Sequence, residues 1–215
     1  GTHGRSFWIL DDLDLLRQIA GEIVNDDMKL FQPSPTYRVA PPMDIARPTA
    51  EGKNYHLSLG VRGSFYEKKE ASGEKRMVYL DVGENPPAGV IVNYWLKDDP
   101  GDGGVTLSIA DRQGNPINSY DGAKDGDPPA EPGDKPKAPA SAGMNRFVWN
   151  MRYPDGPQVP GDKTAEKGAK GPAVAPGTYQ VNLKVGPFTQ TETFELITDP
   201  NVSATQEDYE EQRDL

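Results

Sequence analysis

The chain has 215 residues, a formal charge of −10, no cysteine and an apolar fraction of 35%, a length that suits one sizeable domain or one domain with appendages. Without cysteine it has no disulfides, thiol nucleophiles or thiolate metal sites. The acid excess argues against nucleic-acid or anionic-lipid partners, and no apolar run approaches the ~20 residues of a membrane-inserted helix.

Residues 5–12, RSFWILDD, have the aromatic and β-branched content of a strand. Asp11 and Asp12 offer N-caps to a helix in which Leu13, Leu16, Ile19 and Ile23 recur at helical spacing, with Gly21 fraying or ending it. Residues 28–42, MKLFQPSPTYRVAPP, read as an extended arm. Pro33, Pro35, Pro41 and Pro42 exclude it from a central strand and send it along a surface or an edge.

From about residue 54 the pattern becomes one of strands. NYHLSLGV alternates through Tyr55, Leu57, Leu59 and Val61, and RMVYLDV is a second strand, stopped by GENPPAG. VIVNYWL, apolar on both faces, reads as a central strand. Val105, Leu107 and Ile109 alternate with Thr106 and Ser108 before DRQGNP turns the chain. Two stretches rich in proline and glycine, 121–143 and 154–177, flank RFVWNM, which sets Phe147, Trp149 and Met151 on one face. The first has the composition of a disordered segment; both are expected to be pinned against the sandwich or a neighbouring molecule. In GTYQVNLKV, Tyr179, Val181, Leu183 and Val185 point inward, and Gly186 and Pro187 turn into the partner strand FTQTETFELIT. Ser203 and Gln206, at capping-box spacing, open a last helix.

Six or seven short strands with helices only at the ends predict a mainly β fold, an antiparallel immunoglobulin-like or fibronectin III-like β-sandwich with short terminal helices. The expected division is 1–50 as a propeller strand, short helix and linker arm, 51–200 as the sandwich with its two long loops, and 201–215 as the start of a truncated helix.

Several motifs carry a resemblance. GTHGRSFWILDDLDLLRQI resembles the end of the β-propeller in bacterial BNR-repeat, sortilin-like proteins, often labelled glycosyl hydrolases. In that family the segment leads into an arm matched here by Leu30, Phe31, Pro33, Tyr37 and Arg38. A strand follows, matched by Asn85, Pro86, Pro87, Gly89, Ile91, Tyr94 and Leu96. The later part is similar to the FlgD-type immunoglobulin-like domain at Gly143, Asn145, Trp149, Pro176, Gly177, Thr178 and Tyr179. The physical logic agrees: Gly177 opens a tight strand start and Tyr179 anchors it in the core.

The resemblance implies a non-catalytic accessory domain of a larger exported protein, extracellular or periplasmic, whose partner is an upstream β-propeller. The family's enzymatic label belongs to that propeller, so this chain is expected to hold no catalytic residue, no cofactor and no metal. The alternative is a carbohydrate-binding module of a glycoside hydrolase, with polysaccharide as partner.

Among candidate sites, Asp98, Asp99 and Asp102, and Asp121, Asp125 and Asp127, form carboxylate-bearing loops of the kind calcium uses. Their spacing does not fit an EF-hand, and Asp with Gly is ordinary turn chemistry. His3 belongs with Arg5 to the propeller-closing motif, and His56 to a strand face. Of the aromatics, Trp149 shares a face with Phe147 and Met151 and reads as core, while Tyr94 and Trp95 point to opposite faces of one strand. The expected ligand or partner surface is therefore Trp95, Tyr153, Phe7 and Trp8. Phe7, Trp8 and Ile9 need a cover, expected as a sheet edge or the second copy in a homodimer.

Overall fold

The computed structural model describes residues 13–19, 23–39, 52–58, 61–69, 75–80, 86–101, 104–123, 127, 135–157 and 170–214. The expectations for His3, Arg5, Phe7, Trp8, Asp102 and Asp125 lie outside these residues.

The described chain begins with helix α1 (Leu13–Gln18), which ends before the break expected at Gly21, and a 3₁₀ turn (Ile23–Asn25). Leu13 and Leu16 are half exposed, and α1 is tied down by polar bonds: Gln18 exchanges two hydrogen bonds with the Gln32 backbone, and Ser34 donates to Asp14. Strands β1 (Met28–Leu30) and β2 (Thr36–Arg38) follow, then β3 (Asn54–Ser58), β4 (Val61–Lys69), β5 (Lys75–Tyr79), β6 (Val90–Leu96), β7 (Val105–Asp111), β8 (Pro116–Asp121), β9 (Gly143–Trp149), β10 (Gly177–Val185) and β11 (Phe188–Thr198). Helix α2 (Gln206–Asp214) closes the order.

The fold is mainly β. Two sheets form the sandwich, one ordered β1-β6-β9 and the other β2-β11-β10-β7-β8, and β3-β4-β5 make a separate antiparallel meander inserted between β2 and β6. β6 is central, as its two apolar faces predict. The proline-punctuated arm supplies an edge strand to each layer, β1 antiparallel to β6 and β2 parallel to β11, so strands of the sandwich already begin within the segment expected to be a linker. Tight hairpins join β7 to β8 and β10 to β11 within one sheet. The chain changes sheet between β1 and β2, β6 and β7, β8 and β9, and β9 and β10, and the two long loops make the last two of these crossings.

The interior follows from the alternation. Val90, Val92, Tyr94 and Leu96 of β6 and Phe147 and Trp149 of β9 meet Leu107, Ile109, Val181, Leu183, Phe194 and Leu196 of the facing sheet. Each large apolar side chain taken out of water this way contributes about 1.5–3 kcal/mol. Trp149, fully buried, lies with its ring centroid 5.9 Å from Tyr179 and 6.0 Å from Phe194. The Tyr179 hydroxyl donates to the Ala175 carbonyl at 2.5 Å, the corner by which immunoglobulin-type sandwiches fix the chain ahead of a strand. Gly177 starts that strand at φ +150°, a conformation a side chain rarely adopts. Gly89, from the NPPAG run, packs so closely that a Cβ there would lie 2.4 Å from the Trp149 carbonyl oxygen.

The described ends of both long loops are pinned to the sandwich. In the first, Ala123 N–H donates to the Ala138 carbonyl and Ala138 N–H to Asp121, Ala138 is fully buried, and the Tyr94 hydroxyl donates to the Pro139 carbonyl. In the second, Val174 donates to Met151 and Tyr153 to Pro172, across a bridge between Arg152 and Ala173. Met151 joins the core as predicted, just past the strand end at φ 59°. The final helix is capped two residues later than expected: Thr205 and Asp208, rather than Ser203 and Gln206, form the reciprocal box.

Candidate functional site

Alternation on β6 and β9 turns one set of side chains into the core and leaves the other on the outer face of the three-stranded sheet. The register fixes the outer rows: Lys29, Trp95 and Met144 form one, Asn93 and Arg146 the next, Ile91 and Val148 the third. Ile91, Trp95 and Val148 are half-buried, and Met144 is 47% exposed. The Trp95 indole N–H donates to the Asp26 carbonyl at 3.3 Å, which holds the ring toward the β1 edge. Beyond that edge opens a groove of about 400 Å³ between β1 and the start of β11, lined by Asp26, Lys29, Phe188 and Gln190 among others. Phe188, at the tip of the β10–β11 hairpin, is 61% exposed.

Of the residues predicted for a partner surface, Trp95 lies on this face. Tyr153 does not: it packs against the core at the root of the second loop, past the opposite end of β9 from Met144. Met144 and Phe188 escaped the sequence reading. Met144 stands where the first long loop gives way to a strand, and Phe188 follows a turn whose partner strand was read only for its pairing.

In the acidic loops, the carboxylates of Asp99 and Asp127 make local bonds. Asp99 accepts from the Gly101 N–H, and Asp127 pairs with Lys137 at 2.6 Å. The Asn115 side-chain amide, with backbone N–H groups of residues 113–115, holds Asp111 below the usual carboxylate range. The Gly171 N–H, then Lys170, does the same for Asp155, and the Thr205 N–H and hydroxyl for Asp208. A glycosidic general acid needs the opposite shift, a carboxyl that keeps its proton near neutrality. Burial instead raises three core tyrosines: Tyr120 and Tyr179 each to about 12, and Tyr94 further still. Among the described residues, no group of three or more His, Asp or Glu side chains is placed to hold a metal ion. Likewise among them, no helix is long and apolar enough to cross a membrane.

No protein-family model, curated protein or solved structure matches the chain. The reading of the site therefore stands on its residues.

The lowered carboxylates make a pH prediction. Their folded values lie below 3.8 and their unfolded ones near 3.9, so the stability they contribute is present above about pH 4 and lost as pH falls further. The urea midpoint of the wild type is expected to drop below pH 4. Asp155→Asn should lower the midpoint at pH 7 and flatten part of the acid drop. An acid limb of unchanged steepness in that variant would show that Asp155 does not hold the second loop's root.

Proposed function

We propose that the chain is a non-catalytic accessory domain of a larger exported β-propeller protein, which docks on the propeller or positions its partners. The observation that carries this reading is the outward row Lys29, Trp95 and Met144, continuous with the groove beside Phe188. Apolar side chains left on an open sheet face, here half-buried Trp95 and exposed Met144 with exposed Phe188 beyond the groove, are a usual form of protein-docking surface. The motifs shared with the propeller-associated proteins support the same assignment. Several of them build the frame behind this face: Leu30, Tyr94 and Leu96 are buried under it, and Gly89 seats β6 against β9. The carbohydrate-module alternative has less support at Trp95 and Tyr153, because Trp95 lies beside Met144 near the start of β9 while Tyr153 lies past that strand's far end.

The test is to express the polypeptide encoded upstream of Gly1 and titrate it with this chain. Binding is expected, weakened at least tenfold by Met144→Arg, a change at an exposed position beside Trp95 on this face. A folded upstream polypeptide that does not bind, or that binds the variant equally well, overturns the docking role. Turnover of a chromogenic glycoside by the chain itself overturns the non-catalytic one.

A further inference from the structure

The inserted meander β3-β4-β5 has a different character from the rest of the molecule. Residues 53–80 carry six Lys and Arg against three Glu, a net +3 within a chain of −10. Its register separates two faces. On one, Phe65 is buried and its ring lies 5.6 Å from that of Tyr79 in the opposed position of β5. On the other, Tyr55 stands opposite Ser64 and Tyr66 opposite Val78, and Leu80 donates its N–H to the Ser64 carbonyl.

That second face is open. Tyr55 is 76% exposed, Leu80 54% and Tyr66 41%. Tyr66 lies two positions along β4 from the partner of Tyr55, so the two rings occupy a diagonal on adjacent strands, with backbones about 7–8 Å apart. The Lys53 ammonium sits 5.2 Å from the centre of the Tyr55 ring. Lys68, two positions beyond Tyr66 on β4, falls on the same side of the sheet. Flat aromatic rings and cations thus share one small sheet face in an otherwise acidic protein.

We infer that this Lys53–Tyr55–Tyr66–Lys68 face binds a carboxylate-bearing polysaccharide. Tyrosine rings exposed on a rigid sheet stack on the apolar faces of sugar rings, and lysines beside them meet carboxylates. Charge complementarity selects the anionic class: a neutral glycan would make no use of the Lys53 ammonium beside the Tyr55 ring. It also selects a sparse polyanion over nucleic acid. A polyuronate carries one charge per ring, whereas duplex DNA carries one per about 1.7 Å of axis, a density that the strongly acidic remainder of the chain repels. This inference is independent of the docking role of the β1-β6-β9 sheet and uses none of its residues.

The experiment is affinity electrophoresis and calorimetry of the full chain with polygalacturonate, with dextran and oligo(dT) as comparison probes. Retardation by polygalacturonate that weakens with added salt is expected. The double variant Tyr55→Ala/Tyr66→Ala should weaken binding about tenfold while leaving the thermal midpoint close to wild type, since both rings are solvent-exposed. Lys53→Gln, which keeps the tyrosines, should weaken binding less, and Lys184→Gln, on an exposed position of β10, should leave it unchanged. Equal mobility with and without polygalacturonate overturns the inference. So does equal binding of dextran, tighter binding of oligo(dT), or affinity that survives both the tyrosine and Lys53 variants.

Discussion

Trp149→Ala is expected to lower the unfolding free energy by about 3–5 kcal/mol, read as a fall in the urea midpoint. Against the ~5–15 kcal/mol that holds a domain of this size together, that is about a fifth of the total or more. The size follows from where the ring sits. Trp149 is fully buried at the end of β9, with Tyr179 and Phe194 of the facing sheet at 5.9 and 6.0 Å, so removing it opens a void shared by both layers. Its backbone also receives Gly89, which limits how far β6 and β9 can collapse into the space. Trp149→Phe is expected to cost much less, about 1–2 kcal/mol. The indole N–H lies near the Tyr120 hydroxyl but makes no hydrogen bond of normal geometry, so phenylalanine removes a buried donor that gains little where it is. Equal losses in the two variants would show that the indole N–H matters after all. An alanine loss under about 1.5 kcal/mol would show that the two sheets do not depend on this ring.

What the sequence displays of this architecture is the part written in side-chain period. β7 and β10 are long enough, and regular enough, for alternation to name both the strand and its inward residues, Leu107 and Ile109, Val181 and Leu183, while β6 is legible as central from its two apolar faces and β11 only as the partner of β10. Opposite faces for Tyr94 and Trp95 were legible for the same reason, and the structure buries the first and turns the second outward. Three-residue β1 and β2, set among Pro33 and Pro35, show no period, and only their proximity to Trp95 and Ile197 makes them strands. β4 reads RGSFYEKK in its interior, too polar to announce itself, and becomes a strand by pairing on both sides. The basic and aromatic face of the meander was hidden with it. Tyr55 and Tyr66 are eleven residues apart, and a hairpin register that sequence does not print brings them together. The final cap went to Thr205 because Asp208, one of two acids three residues beyond a hydroxyl or near it, reaches the Thr205 N–H at 2.6 Å.

Gln190→Leu is expected to self-associate more strongly than the wild type, because of what this side chain covers. β1 is an edge strand, bonded to β6 on one side. On its other side the Leu30 N–H donates to the Gln190 Oε1 at 2.7 Å, and Gln190 Nε2 donates to the Met28 carbonyl at 3.1 Å. One carboxamide from β11 thus occupies, from the opposite sheet, the donor and acceptor that another strand would use. It links the two layers at the open side of the sandwich and blunts an edge that would otherwise template pairing. Leucine keeps the bulk and removes both bonds, leaving two backbone groups unmatched at a cost of about 2 kcal/mol. The urea midpoint should fall accordingly, and sedimentation should show mass rising with protein concentration. Gln190→Glu separates the two bonds. Its carboxylate still accepts from Leu30 but cannot donate to Met28, so at neutral pH it should fall between wild type and leucine. A leucine variant with the sedimentation profile and stability of the wild type would mean that β1 is held by β6 alone, and that its outer edge needs no cover.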